Sequence, residues 1–244
     1  MMKAAALRIT VLMGIISSVA MFIPAVAPGY PSAGGNRYVD DPIPQGSGEM
    51  PLSQQLEGLG PLPRLAYLRH LLEQGRADAE VMFQTAVAFH ELGETDSALY
   101  YYDRTIAIDP NDFKSYVNKG VIYDEAGDYA RAIQSFAMGA TLNPEDVLAH
   151  SHLAFLLHQK GDNRAAWEHL HAALEIDPDH PQPHFYLAIF FWDARIFREA
   201  MREWETVIDL EPDGFLAMKA RDNIVMLQKA LESPSPDGDW SPER

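Results

Sequence analysis

The chain has 244 residues, 47% of them hydrophobic and 22% charged, which is enough apolar material for a sizeable core. Its formal charge of -16 repels phosphate backbones and anionic lipid headgroups, so nucleic acid is set aside as a partner, while a basic protein would be steered in faster. The chain has no cysteine, which removes disulfides, thiolate nucleophiles, CxxC redox chemistry, thiolate zinc sites and haem attachment through CxxCH.

In chain order, Lys3 and Arg8 precede an apolar run from Ile9 to Ala27 that is broken only by Gly14, Ser17, Ser18 and Pro24. A basic start followed by such a run predicts that residues 1–27 are a signal peptide or signal anchor. The positive charges would stay on the cytoplasmic side, so the rest of the chain is expected to be exported, to the periplasm or another extracytoplasmic face. Ala25-Val26-Ala27 has the small-x-small form of a cleavage site, although Pro28 would follow the scissile bond. The run of 19 residues is close to the roughly 20 that span a bilayer, so a cleaved signal and a retained single-pass anchor both stay open. If it is uncleaved, residues 9–27 are the contact with the membrane. Residues 28–61 are rich in Pro, Gly and Ser and read as a flexible linker. Leu62, Leu65, Leu68, Leu71 and Leu72 then form a stripe that stops at Gly75, a helical half-repeat covering whatever follows.

From there a period of 34 residues governs the chain. Pro110, Pro144, Pro178 and Pro212 keep this spacing without exception, each after an acidic or amide residue, and so do Ala98, Ala132, Ala166 and Ala200. With the proline numbered as position 32, the repeats are 79–112, 113–146, 147–180 and 181–214. Position 8 is small (Ala86, Gly120, Ala154, Ala188) and position 11 is bulky (Phe89, Tyr123, Leu157, Phe191). Position 24 is also bulky (Tyr102, Phe136, Leu170, Trp204), and position 15 is Gly93, Gly127, Gly161 and then Arg195. Each unit carries two stretches with apolar residues at helical spacing. Small residues at positions 8 and 20 let the two helices approach, and bulky ones at 11 and 24 fill the crossing. The Gly-Asp and Asp-Pro pairs are expected to end one helix and cap the next. One such pair cannot bury its own apolar face, so neighbours must stack.

This pattern resembles the tetratricopeptide repeat (TPR) over about 150 residues. Two departures are Met82, Tyr116, His150 and His184 where position 4 is usually Trp, and Arg195 in place of the turn glycine. The resemblance implies an all-α fold, a right-handed α-solenoid of four helix-turn-helix repeats with an N-terminal half-repeat and a C-terminal capping helix. The TPR domain would span 62–232, with the cap at 215–232, carrying Asp222 at its position 8 and Lys219, Arg221 and Lys229 outward. Residues 233–244, with three prolines and Trp240, are expected to be a disordered tail.

In TPR proteins the first helix of each repeat lines the concave face, mainly through positions 2, 5, 9 and 12. Carried onto this chain, the resemblance makes Phe83, Val87, His90, Val117, Asn118, Val121, Phe155, His158, Phe185, Tyr186, Ile189 and Trp192 the candidate protein-binding groove. Glu80, Glu91, Asp124, Glu125 and Asp193 would rim it. An apolar patch with a polar rim fits a partner segment with apolar or aromatic anchors and room for basic groups. Two other readings stay open: these side chains seal contacts between repeats, or the chain's own linker or tail lies in the groove. The clamp by which some TPR proteins hold chaperone C-termini is not expected, because Phe83, Val87, Leu148 and His152 occupy its positions and only Asn118 matches.

Nine histidines invite a metal or proton-sensing reading, with His150, His152, His158, His169 and His171 in the third repeat. Residues two apart on a helix point nearly opposite ways, so neither His150 with His152 nor His169 with His171 chelates one ion. His150 and His184 share position 4 and could approach each other. Protonation near pH 6 is expected to weaken the third repeat. No Ser/His/Asp constellation, phosphate loop or dinucleotide fingerprint is present, so neither an enzyme nor a cofactor is expected. The expected function is a non-catalytic scaffold, adaptor or assembly factor, exported and membrane-tethered. The alternative is a structural accessory subunit of a membrane complex that uses its outer surface.

Overall fold

The computed structural model describes residues 51–232, and among these the chain is all-helical, with eleven helices and no strand. They are α1 (Leu52–Gln55), α2 (Pro61–Glu73), α3 (Ala79–Glu91), α4 (Thr95–Ile108), α5 (Phe113–Glu125), α6 (Tyr129–Leu142), α7 (Val147–Lys160), α8 (Asn163–Ile176), α9 (Pro181–Asp193), α10 (Phe197–Leu210) and α11 (Phe215–Glu232). From α3 to α10 each 34-residue period supplies two helices, and the architecture is the expected TPR solenoid type. The expectations for residues 1–50 and 233–244 lie outside the described residues.

The chain divides within α6, between Ser135 and Phe136, into two compact units. In the first, α3 packs on α4 and α2 packs on α3. Ala86, Ala98 and Tyr102 are fully enclosed with Ile122, and Phe83, Val87 and Phe89 pack against them. The small residues at positions 8 and 20 thus sit where the helices cross. In the second unit α7 pairs with α8 and α9 with α10, while α9 also packs on α7. Ala154, Ala166, Leu170, Ala188, Ala200 and Trp204 are the corresponding buried set. Burying each of the larger side chains contributes on the order of 1.5–3 kcal/mol, as an upper estimate.

The folded part begins earlier than the linker reading of 28–61 placed it. Leu52 and Leu56 are buried with Tyr67, Leu68, Leu71 and Val81, and the Tyr67 hydroxyl donates to Gln55 Oε1 at 2.6 Å. Pro51 and Pro61 mask this segment in composition, yet both stand at helix starts, where a missing N–H costs nothing. Arg64 fastens the half-repeat, donating to Glu91 on α3 at 2.8 Å and to the Leu59 carbonyl at 3.0 Å.

The junctions between repeats divide the capping work differently from the Asp-Pro reading. Asp109, Asn143 and Asp177 each accept from the backbone N–H two residues on, which shapes the turn around the proline. The next helix is capped three residues later, where Asp112 and Asp146 accept from Ser115 and Ala149 N–H at 3.0 and 2.7 Å, and Asp78 caps α3 in the same way by accepting from Val81 N–H at 2.9 Å. His180 takes this place in the fourth repeat, its Nδ1 accepting from Gln182 N–H at 3.2 Å. Within repeats, Asp128 and Asp162 cap as the Gly-Asp pairs indicate. Where the fourth repeat lacks the turn glycine, Arg195 adopts its left-handed backbone at φ 64°, alone among the described non-glycine residues.

At the far end α11 buries Leu216, Ala217, Ala220, Asn223 and Leu227. Its outward side carries Arg221 and Lys229 as expected of a solvated cap, whereas Lys219 is only partly exposed, and Asp222, Met218, Val225 and Met226 are exposed as well. Among the described residues, no helix is long and apolar enough to cross a membrane.

Candidate functional site

The structure sorts the twelve candidate groove residues by unit. In the first, Phe83, Val87 and His90 on α3 and Asn118 and Val121 on α5 are partly accessible, and Val117 is buried. In the second, Phe155 on α7 and Phe185, Tyr186 and Ile189 on α9 are buried, leaving His158 and Trp192 partly accessible. Phe155 and Tyr186 stack with centroids 4.6 Å apart, and Phe185 meets Tyr186 edge-on. Trp192 leans on Phe197 and Trp204 within its own repeat. In this unit the sealing alternative describes most of the candidates, because α7 and α9 approach closely enough for their position-9 and position-6 rings to meet. The positions come from one family rule; which of them stay open depends on how tightly adjacent repeats nest.

Most of the acidic rim is already engaged. Glu91 holds Arg64, and Glu80 pairs with Arg76 at 3.8 Å. The histidine at position 12 reaches the acid at position 13 of the following repeat: His90 Nε2 lies 3.5 Å from Glu125 Oε2, and His158 Nε2 donates to Asp193 Oδ2 at 2.9 Å. His158 also stacks on Phe190 at 4.0 Å, and its Nδ1 lies 2.8 Å from Asn163 Oδ1. These two 35-residue pairs were present in the sequence as a register, but sorting residues into groove and rim separated their members.

Asp124 is the exception. It is only 7% exposed, its Oδ2 has no hydrogen-bond partner among the described residues, and no cation pairs with it. Burial, with the Glu125 charge adding to it, pushes its carboxyl up to about 6.

The position-4 histidines explain one family departure. His150 Nε2 donates to the Pro144 carbonyl at 3.2 Å and His184 Nε2 to the Pro178 carbonyl at 2.8 Å, tying each first helix to the preceding turn. Their other nitrogens meet position 23 of the same repeat, His169 Nδ1 at 3.0 Å in one case and Glu203 Oε2 at 2.7 Å in the other. Each ring thus has both nitrogens engaged within its own repeat and the turn before it. Burial lowers His150 and His169 below the ordinary histidine range, whereas the Glu203 hydrogen bond raises His184. Among the described residues no three His, Cys, Asp or Glu side chains converge to hold a metal ion.

A feature that groove reasoning missed lies on the second helix of the third repeat. Trp167 is 49% exposed on α8, and with Leu170, His171, Leu174 and Glu175 it lines a shallow surface depression. Their i, i+3, i+4, i+7, i+8 spacing was the available signal.

Paired helices at a constant 34-residue interval, meeting small residue against bulky, define the helical-hairpin repeat class. Three models of the tetratricopeptide repeat match residues 65–113, 101–134 and 125–184. The chain is a tetratricopeptide-repeat protein, and at that level it is a protein-interaction scaffold. No curated protein sequence matches it. Among solved structures, TTC0263, a thermophilic TPR protein of Thermus thermophilus, is 19% identical, with a TM-score of 0.58 over 71% of this chain and 96% of that one. MamA from residue 41 onward, of Desulfovibrio magneticus RS-1, is 22% identical, with a TM-score of 0.56 over 67% of this chain and 94% of that one. A chain of the APC/C hetero-tetramer Cut9-Hcn1 is 15% identical, with a TM-score of 0.65 over 73% of this chain and 35% of that one. These likenesses show a shared fold.

Proposed function

We propose that this chain is a non-catalytic adaptor or assembly factor that holds a segment of another protein against the first helices of its repeats. The observation that carries this reading is in the first unit. There Phe83, Val87, Asn118 and Val121, at positions 5, 9, 6 and 9 of their repeats, remain partly accessible, and Oδ2 of the neighbouring Asp124 has no hydrogen-bond partner among the described residues. Apolar anchors beside such an acid suit a segment with an apolar or aromatic side chain near a Lys or Arg. Three or four buried anchors give about 1.5–3 kcal/mol each before association costs of about 4–15 kcal/mol, so micromolar affinity is expected. The Cut9-Hcn1 structure is an instance of this fold in complex with another protein.

The same proposal places the repeats outside the cytoplasm, tethered by residues 9–27 or released after cleavage. Support for this is the Lys3/Arg8 charge ahead of the apolar run. A second reading, an accessory subunit that docks by its outer surface, is favoured by exposed Trp167 on α8 and by Met218, Val225 and Met226 on α11. A photoreactive amino acid placed at Val121 and, separately, at Trp167 in the native membrane-containing host tests the two. Crosslinks at Val121 to a discrete protein support the groove reading; crosslinks confined to Trp167 support the accessory-subunit one.

A further inference from the structure

Four histidines of the second unit sit where burial disfavours charge, and two of them, His150 and His180, also accept a hydrogen bond through Nδ1, which a charged ring cannot do. His150 spends its Nε2–H on the Pro144 carbonyl, so its Nδ1 must accept, and His169 Nδ1–H donates to it across 3.0 Å. A second proton on His150 would set two N–H groups against each other at that distance, whereas one on His169 Nε2 leaves this hydrogen bond in place. His152, two residues further along α7, lies flat on Phe136 with centroids 4.9 Å apart and an interplanar angle of 5°. Its Nδ1 is 3.1 Å from the Tyr186 hydroxyl of α9, and its ring meets Tyr186 edge-on. His180 caps α9 by accepting through Nδ1, which a protonated ring cannot do.

We propose that the second unit carries a proton-operated latch, in which proton uptake by the His150–His169 pair, His152 and His180 loosens the α7–α8 hairpin from α9 and uncovers the Phe155–Tyr186 ring pair. The latch does not depend on what the first unit holds.

The charged surroundings bear on the sign. Asp146, at the start of α7, faces His150, and Glu168 lies beside His169. Asp177, Glu211 and Asp146 act on His180, with His184 opposing them, and His180, which would carry the same sign, acts on His152. The carboxylates favour protonation, but burial is the larger influence on all four rings and holds each below the ordinary histidine range, His152 down to about 4. A group depressed in the closed form binds protons better once opened, so closure is stable above the ordinary value of 6.5 and weakens as pH falls below it. His152 alone shifts the balance toward the open form about tenfold at pH 5.5.

Hydrogen exchange of the full chain at pH 7.5 and 5.5, corrected for intrinsic rates, reads this directly. Amides between 147 and 193 should lose protection at least tenfold at pH 5.5, while those of 79–125 do not. In His169→Gln, whose amide can still donate to His150, the loss should shrink. Equal protection at both pH values in 147–193, or an undiminished loss in His169→Gln, overturns the proposal. Imidazole titration of the wild-type chain by NMR keeps the question decidable if the variant fails to fold. His150, His152 and His169 should titrate below 6.5, and titration of all three at or above it overturns the latch.

Discussion

His184 Nδ1 lies 2.7 Å from Glu203 Oε2 while Nε2 of the same ring lies 2.8 Å from the Pro178 carbonyl. Both partners are acceptors, so the ring satisfies them together only as the imidazolium, and the Glu203 hydrogen bond accordingly raises its pKa above the ordinary value. His150, at the equivalent position, meets a second histidine instead and is lowered. One residue change at position 23 thus decides whether the same tie carries charge.

Because His184 is raised, its contribution to stability is complete below pH 6.5 and is lost as pH climbs through its elevated value. Glu203→Gln should cost about 1–2 kcal/mol at pH 6 and less at pH 8.5. Urea unfolding at the two pH values checks this.

Asp124 works in the reverse sense to a paired acid. Its carboxyl, raised from 3.8 to about 6, makes the fold less stable above pH 6, and stability returns as pH falls toward 4. Asp124→Asn should therefore raise stability at pH 7.5, by at most about 3 kcal/mol, and remove the pH dependence between 4 and 6. If Asp124 receives a partner's cation, the same variant should weaken capture while stabilising the free chain, a combination that a purely structural residue does not show.

Arg195 holds a left-handed backbone that costs an L-residue about 1–2 kcal/mol. Arg195→Gly restores the family's turn residue and should raise the melting temperature, with a gain of about 0.5–1 kcal/mol after glycine's greater unfolded freedom is subtracted.

Tyr102 is fully enclosed at position 24 with a hydroxyl that has no partner among the described residues. Tyr102→Phe keeps the ring that fills the helix crossing and removes the stranded group, so stability should stay level or rise by about 1 kcal/mol. A thermal melt of the single variant measures it.

The helices and their core were legible because the 34-residue period fixes both. Ala86, Ala98 and Tyr102 occupy buried positions 8, 20 and 24 in the structure just as the register assigns them. The start of the fold at Leu52 was not legible, since two prolines and a glycine-rich approach outweigh a four-residue helix. The candidate site was legible as positions and not as a surface. Phe155, Phe185, Tyr186 and Ile189 satisfy the same rule as Phe83 and Val87, but exposure depends on the closeness of neighbouring repeats, which no single repeat's sequence encodes. The histidine ties were hidden for a related reason. A histidine's partner lies 19 or 35 residues away, and whether it is an acid, an amide or another histidine sets the charge.

A partner segment resting on α3 and α5 of the first unit is the arrangement on which the proposed function depends. Its most direct test is the dissociation constant of the crosslinked partner segment for Val87→Lys/Val121→Lys, measured beside Trp167→Lys. The expected result is a loss of at least tenfold, about 1.4 kcal/mol, in the first variant and wild-type affinity in the second. Unchanged affinity in Val87→Lys/Val121→Lys, with loss in Trp167→Lys, would contradict it.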